Sequence, residues 1–252
     1  MGDSVSVGVG DCGTNFEGPG WGMRIAEMIG AERILNIAAN GTKVEDFCSS
    51  QSRIASFFQP DLVIVSVGSN DILRANFDAN RIFTELRESF ERINQTGCIV
   101  LLLAPPDPLD TAPAPKFLRE ALSIRHKQLL EVFKMLEKIS LVNLILITPE
   151  EIMERKNLWH IDRMHPSPLG HQYLALKSIR FLGIYPHKIL DTEDREHSLK
   201  HKLFWLLIAG SMWIMKRSID LIPSLIWIGI KLKYLRRDRK STRLNSSHAN
   251  IS

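Results

Sequence analysis

Three continuous apolar runs constrain the fold most: Asp61 to Val67 (Asp-Leu-Val-Ile-Val-Ser-Val), Cys98 to Ala104, and Asn143 to Ile147. None alternates apolar with polar residues, as a strand with one wet face would. Strands of this kind are buried on both faces, as in a parallel sheet covered by helices. Residues 33–38 (Arg-Ile-Leu-Asn-Ile-Ala) read as a further short strand. Helical periodicity fills the gaps, at 20–30, 43–57, 79–95 and 116–140. Thr42 with Glu45 has the spacing of a capping box at the head of the second of these. Ser167-Pro168 supplies an N-cap and an N1 proline for a last helix running to about Leu182. Repeated β-α units of this length imply right-handed crossovers and a three-layer α/β/α domain.

Composition narrows the class. The chain has 252 residues, 44% hydrophobic and 24% charged, which excludes collagen, low-complexity disorder and a disulfide-stapled miniprotein. Cys12, Cys48 and Cys98 are too widely spaced for a zinc motif, and reduced thiols are expected, with a Cys12–Cys48 bridge as the open alternative. The net charge of +4 is unevenly spread, because residues 196–252 hold 11 basic and 3 acidic side chains. The expected organisation is a globular body over 1–185, a basic, Trp-containing helical extension over 186–240, and a disordered tail over 241–252 that reads as a non-native extension. The apolar stretches at 203–215 and 221–230 are shorter than the roughly 20 residues that span a bilayer. Peripheral contact of residues 203–240 with an anionic membrane is therefore expected, against the alternative that these helices pack on the body. A nucleic-acid partner is not expected, since the basic residues lack regularly spaced aromatic platforms.

Four short segments carry chemistry. Gly2-Asp3-Ser4 places a serine at the carboxyl end of a first strand, where an imidazole could activate it. Asn40-Gly41-Thr42 opens a helix and presents backbone N–H groups suited to an anion. Gly68-Ser69-Asn70-Asp71 follows the strongest strand, and an amide there can donate to a developing oxyanion. Asp162-Arg163-Met164-His165 sets a carboxylate and an imidazole three residues apart in a loop. Each alone has an ordinary structural reading as a turn, a cap or a surface pair. The proline-rich stretch 104–115 also follows a strand and reads equally as an active-site wall or a connector.

Taken in this order, the four segments resemble the blocks of the SGNH (GDSL-like) hydrolase superfamily, bacterial-type serine esterases and lipases, over about residues 2–182. The resemblance implies a flavodoxin-like parallel sheet and cleavage of carboxylic esters through an acyl-enzyme. Ser4 would be the nucleophile, His165 the base and Asp162 its orienting carboxylate. Ser4, Gly41 and Asn70 would form the oxyanion hole, with no metal or cofactor required. His160 and His171 are the rival bases and are expected to be structural, as are Trp21 and Trp159; Asp71 is expected to brace its turn. An acyltransferase or deacetylase acting on carbohydrate, and an inactive ligand-binding remnant, are the competing functions. The family pattern puts a full apolar strand ahead of the serine block, so the first strand is expected to be truncated and the natural start to lie upstream. That leaves a cytoplasmic or membrane-peripheral location as the expectation.

Overall fold

Three parallel strands, β1 (Leu62–Ser66), β2 (Ile99–Leu103) and β3 (Asn143–Ile147), stand side by side in that order. Their register is unbroken, Leu62 opposite Ile99 and Ile99 opposite Asn143. The computed structural model describes residues 1–11, 18–111, 115–139, 143–149, 155–187, 223, 226–228 and 230.

Alternation along each strand builds two apolar layers, which is why the runs are apolar throughout. Val63, Val65, Val100, Leu102, Leu144 and Leu146 point into one core. That core is closed by α4 (Ser52–Phe58), α6 (Ala79–Ile93) and α8 (Lys116–Glu137), through Ala55, Phe90 and Phe133 among others. Leu101, Leu103 and Ile147 point the other way, against Trp21, Ile25 and Met28 of α2 (Gly20–Met28) and Leu174, Ala175 and Ile179 of α9 (Pro168–Leu182). The domain is the expected α/β/α sandwich. Trp21 is wholly buried in the second core and Trp159 packs at its margin.

Helix signals transfer closely. Ser167 caps α9, its hydroxyl accepting from Gly170 N, and Pro168 sits at N1. The helix after Gly41 starts one residue later than the sequence suggested. In α3 (Val44–Asp46) Lys43 is the N-cap, and its N–H donates to the Asp46 carboxylate; the Thr42 hydroxyl instead donates to Ala39 O. The helix continues as a π-helical stretch, Phe47–Gln51, into α4. Cys48 is a free thiol, so the Cys12–Cys48 alternative is discarded.

The strand expected at 33–38 is not formed. A strand needs a ladder, and a groove of about 400 Å³ separates this segment from the edge of β1, lined by residues 31–37, Leu62, Ile64, Met23 and Phe58. Ile34 and Leu35 are accordingly exposed. At this edge of β1 lie Met1 and Gly2: Met1 N donates to Ile64 O, and Gly2 pairs in parallel with Ser66. Gly2 O in turn accepts from Ala39 N, so two residues do the work of a strand at one level of the sheet. The expected helical extension lies almost wholly outside the described residues, as does the 241–252 tail.

One buried ion pair ties the second layer together. Arg24 of α2 meets Asp11 through two nitrogens, at 2.8 and 2.6 Å, and its third nitrogen donates to Gln172 Oε1 of α9 at 2.8 Å. Asp11 also accepts from Gly20 N at 2.7 Å. Removing one member leaves a desolvated charge. Arg24→Met is expected to cost about 3–5 kcal/mol in denaturant unfolding, and Asp11→Leu with Arg24→Met markedly less. Equal losses from the single and double changes would refute the pair's role.

Candidate active site

The nucleophile block begins at the carboxyl end of β1. Asp3 N donates to Ser66 O, and Gly2 lies so close to Ser66 that an added Cβ would collide with its carbonyl. Gly2 also has φ of 110°, so only glycine fits both demands. Asp3 then caps α1 (Ser4–Val7), accepting from Val5 N, and its carboxylate takes the hydroxyl hydrogens of Ser66 and Ser69. Burial pushes the Asp3 carboxyl up, and those hydrogen bonds oppose the shift. Ser4 therefore stands at the first position of a short helix, where backbone N–H groups lack intrahelical partners.

Across the chain from it, His165 Nε2 lies 2.8 Å from Ser4 Oγ, and His165 Nδ1 lies 2.7 Å from Asp162 Oδ2. An ionised carboxylate only accepts, so Nδ1 carries the proton and Nε2 is the acceptor for the serine hydroxyl. Asp162 Oδ1 accepts from Met164 N and His165 N, at 2.9 and 3.0 Å, which fixes the loop as well as the ring. Burial alone would raise the Asp162 carboxyl; hydrogen bonds and charge from His160 and His165 outweigh it and hold the group well below the carboxylate range.

The other blocks converge on the same edge. Gly41 lies in the turn closed by Thr42 N donating to Ala39 O. Asn70, in α5 (Ser69–Ile72), donates one amide hydrogen to Thr42 O at 3.1 Å, which leaves its second hydrogen to be directed elsewhere. Asp71 does more than brace its own turn, since both its oxygens accept from Val44 N at the head of α3. Arg125 of α8 holds the far end of α5 through Ile72 O and Arg74 O.

The rival histidines have other partners. His171 is fully buried in α9, its Nδ1 accepting from Trp21 N and its Nε2–H donating to Val9 O. Burial pushes this imidazole down to about 4. His160 Nδ1 stands 3.4 Å from Asp162 Oδ2, and the backbone N–H of His160 donates to His165 O. It thus lines the Asp162 carboxylate.

Some site residues escaped the sequence reading. Gly10, at φ 91°, lets the chain pass behind the ring: an added Cβ would strike Pro166 O and crowd the Cβ atoms of His160 and His165 at 3.2 and 3.3 Å. The next residue, Asp11, anchors that passage through Arg24. Neither has a motif; the Gly8-Val9-Gly10 spacing was the one available sign. The 104–115 stretch contains α7 (Pro108–Thr111) and is tied to α8. His126 Nε2–H donates to Pro105 O, Ser123 Oγ to Asp107 Oδ2, and Arg119 to Leu109 O. Its described part is therefore anchored to α8 beyond the carboxyl end of β2. Among the described residues, no group of three or more His, Cys, Asp or Glu side chains is arranged to hold a metal ion.

A serine, a histidine and an aspartate in hydrogen-bonded series on an α/β/α sheet define a serine-hydrolase arrangement. The chain belongs to the GDSL-like lipase/acylhydrolase family, whose profile matches residues 1–173, and it is an ester hydrolase. No curated protein matches the sequence. The fold is similar to that of the lipase/acylhydrolase from Enterococcus faecalis, with TM-score 0.56 and 20% identity over 76% of this chain and 96% of that one. It is also similar to the psychrotrophic esterase EstA from Pseudoalteromonas sp., with TM-score 0.55 and 15% identity over 73% and 97%. A third is Axe2, an acetylxylan esterase from Geobacillus stearothermophilus, with TM-score 0.53 and 18% identity over 76% and 94%.

Asp71 gives the site edge a pH signature. Burial, the largest influence, pushes its carboxyl up to about 7. An unfolded aspartate titrates near 4, so between about pH 4 and pH 7 the unfolded chain loses a proton that the folded one keeps. Stability contributed by this group falls by about 4 kcal/mol across that window. His171, lowered to about 4, acts in the opposite sense between about pH 4 and 6.5 and masks the trend in the unaltered protein. Asp71→Asn should therefore gain on the parent in unfolding midpoint as pH rises from 4 to 7. A gap independent of pH would contradict a protonated, buried Asp71.

Proposed function

We propose that Ser4 attacks the carbonyl of a carboxylic ester while His165 Nε2 takes the hydroxyl proton, and that His165 returns this proton to the leaving alcohol. The observation that carries this reading is the unbroken series from Ser4 Oγ through His165 to Asp162, at 2.8 and 2.7 Å. Asp162 holds the Nδ1–H tautomer and stabilises the imidazolium that forms. The Ser4 and Gly41 N–H groups and the Asn70 amide receive the tetrahedral oxyanion; the bond from Asn70 to Thr42 O keeps that amide beside the Gly41 turn. Water then attacks the acyl-serine with His165 again as base, and acid and serine are released. The described part of the 104–115 stretch, tied to α8 at Pro105, Asp107 and Leu109, walls the acyl group. Esterase or lipase action of bacterial type on a small or lipid ester is the primary reading. Similarity in fold to an acetylxylan esterase favours acetylated carbohydrate as the second substrate class.

Hydrolysis of p-nitrophenyl acetate tests the scheme. Ser4→Ala should abolish fluorophosphonate labelling and drop the rate to the residual level left by binding and the oxyanion hole alone. Asn70→Ala should lower kcat by about 10²–10³ with little change in KM. Labelling that persists in Ser4→Ala would move the nucleophile elsewhere. An unaltered protein that neither labels nor turns over would make the chain a binding remnant.

A further inference from the structure

Gly2 is paired on two sides. Its neighbours Met1 and Asp3 turn their backbone groups to β1, so the N–H and C=O of Gly2 itself point the other way. An adjacent strand would satisfy both groups. Here a side chain shares that task with Ala39. Gly2 N donates to Gln51 Oε1 at 2.5 Å, and Gln51 Nε2 donates back to Gly2 O at 3.1 Å. The same nitrogen donates to Thr42 Oγ1 at 3.2 Å, and the Thr42 hydroxyl donates onward to Ala39 O at 2.7 Å. Ala39 N closes the ring by donating to Gly2 O at 3.0 Å. Gln51 is buried, so a bond lost from this ring has little water to replace it.

Gln51 ends the π-helical stretch Phe47–Gln51, which is closed by Ser52 N donating to Phe47 O. Such a wide turn holds one residue more than an α-turn and recurs at functional sites. Phe47 and Ala55, on either side of Gln51 in the sequence, belong to the apolar core. Packing gives no reason for an amide between them. The amide does span two of the three segments that supply oxyanion donors: Gly2 lies two residues before Ser4, and Thr42 directly follows Gly41. The other two spans have their own links. Asn70 donates to Thr42 O, and the Asp3 carboxylate accepts from Ser69 beside Asn70.

We propose that Gln51 is a positioning residue that sets the spacing between the Ser4 and Gly41 N–H groups, acting through Gly2 and Thr42. This rests on the hydrolase reading above. Gln51→Met keeps the length of the side chain and removes all three bonds. Its kcat for p-nitrophenyl acetate should fall by about 10², the cost of misplacing a reacting geometry by an ångström, with KM little changed. Gln51→Glu keeps an acceptor for Gly2 N but sets an oxygen against Gly2 O, where only the protonated acid can donate. Its kcat, as a fraction of the parent's at the same pH, should therefore rise as pH falls from about 8 to 5. Comparison at equal pH removes the titration of His165 and Asp71, which both proteins share. Lost packing would give no such dependence, and Gln51→Glu decides the matter should Gln51→Met fail to fold. A parent that neither labels with fluorophosphonate nor turns over strikes the hydrolase reading itself. A parent that labels, beside a folded Gln51→Met with parental kcat, strikes the role of Gln51 alone. So does a Gln51→Glu fraction that stays flat with pH, or a Gln51→Met loss confined to KM.

Discussion

The site depends first on the pairing of Gly2 with Ser66. The nucleophile comes within four residues of the chain's first residue, where a helix of one turn has almost no stability of its own. What holds it is the end of β1. Gly2 lies along the strand, Asp3 N donates to Ser66 O, and the Asp3 carboxylate gathers the hydroxyls of Ser66 and Ser69. Ser66 closes a strand that is laddered to β2 on its other side. Ser69 opens α5, which carries Asn70. One carboxylate thus joins the segment that carries Ser4 to the helix that carries Asn70, and a shift of either would leave a buried acceptor unpaired.

The partner of Ser4 arrives from the opposite end of the α/β body, and its placement is controlled differently. Asp162 organises its own loop through two backbone N–H groups before it touches the imidazole. The ring is then confined from behind by Gly10, whose segment is anchored by the Asp11–Arg24–Gln172 set. Burying such a pair has a desolvation cost that a well-packed apolar substitute would avoid. Its use here is geometric: α2, α9 and the chain behind His165 meet at one polar point inside an otherwise apolar layer. The bidentate contact fixes angles that leucine packing would leave loose.

Much of this was legible in the sequence. The three strands followed from apolar runs too long for a half-wet sheet, and α9 from a serine followed by proline. The four chemical segments could be ordered because each follows, or precedes by a turn, an element that periodicity had already placed. Residues 33–38 failed for a physical reason. Apolar composition makes a strand possible, but hydrogen bonds from a neighbour make it one, and beside Ile34 and Leu35 there is a groove. The helix after Gly41 was misplaced by one residue because Thr42 turned its hydroxyl back to Ala39 O. Asp11, Arg24 and Gln172 were unreadable because their partners lie 13 and 148 residues apart in the chain. Charge at such separations leaves no local pattern.

The three histidines near the site show how far residue type alone can go. Each is buried or nearly so, and each lies within a few residues of the same loop and helix. They are separated by what their nitrogens touch. His171 has both nitrogens engaged by backbone, one accepting from Trp21 N and the other donating to Val9 O. Protonating it would set a second N–H against a backbone donor, the electrostatic complement to its lowered affinity for a proton. His160 shares the Asp162 Oδ2 oxygen with His165, and its ring stands farther from it, at 3.4 Å against 2.7 Å. His165 alone combines a donor fixed by Asp162 with an acceptor directed at Ser4. A neutral ring in that tautomer can receive a proton on one side while the anion behind it offsets the charge. Neither neighbouring imidazole has that pairing, although all three belong to one twelve-residue stretch of sequence.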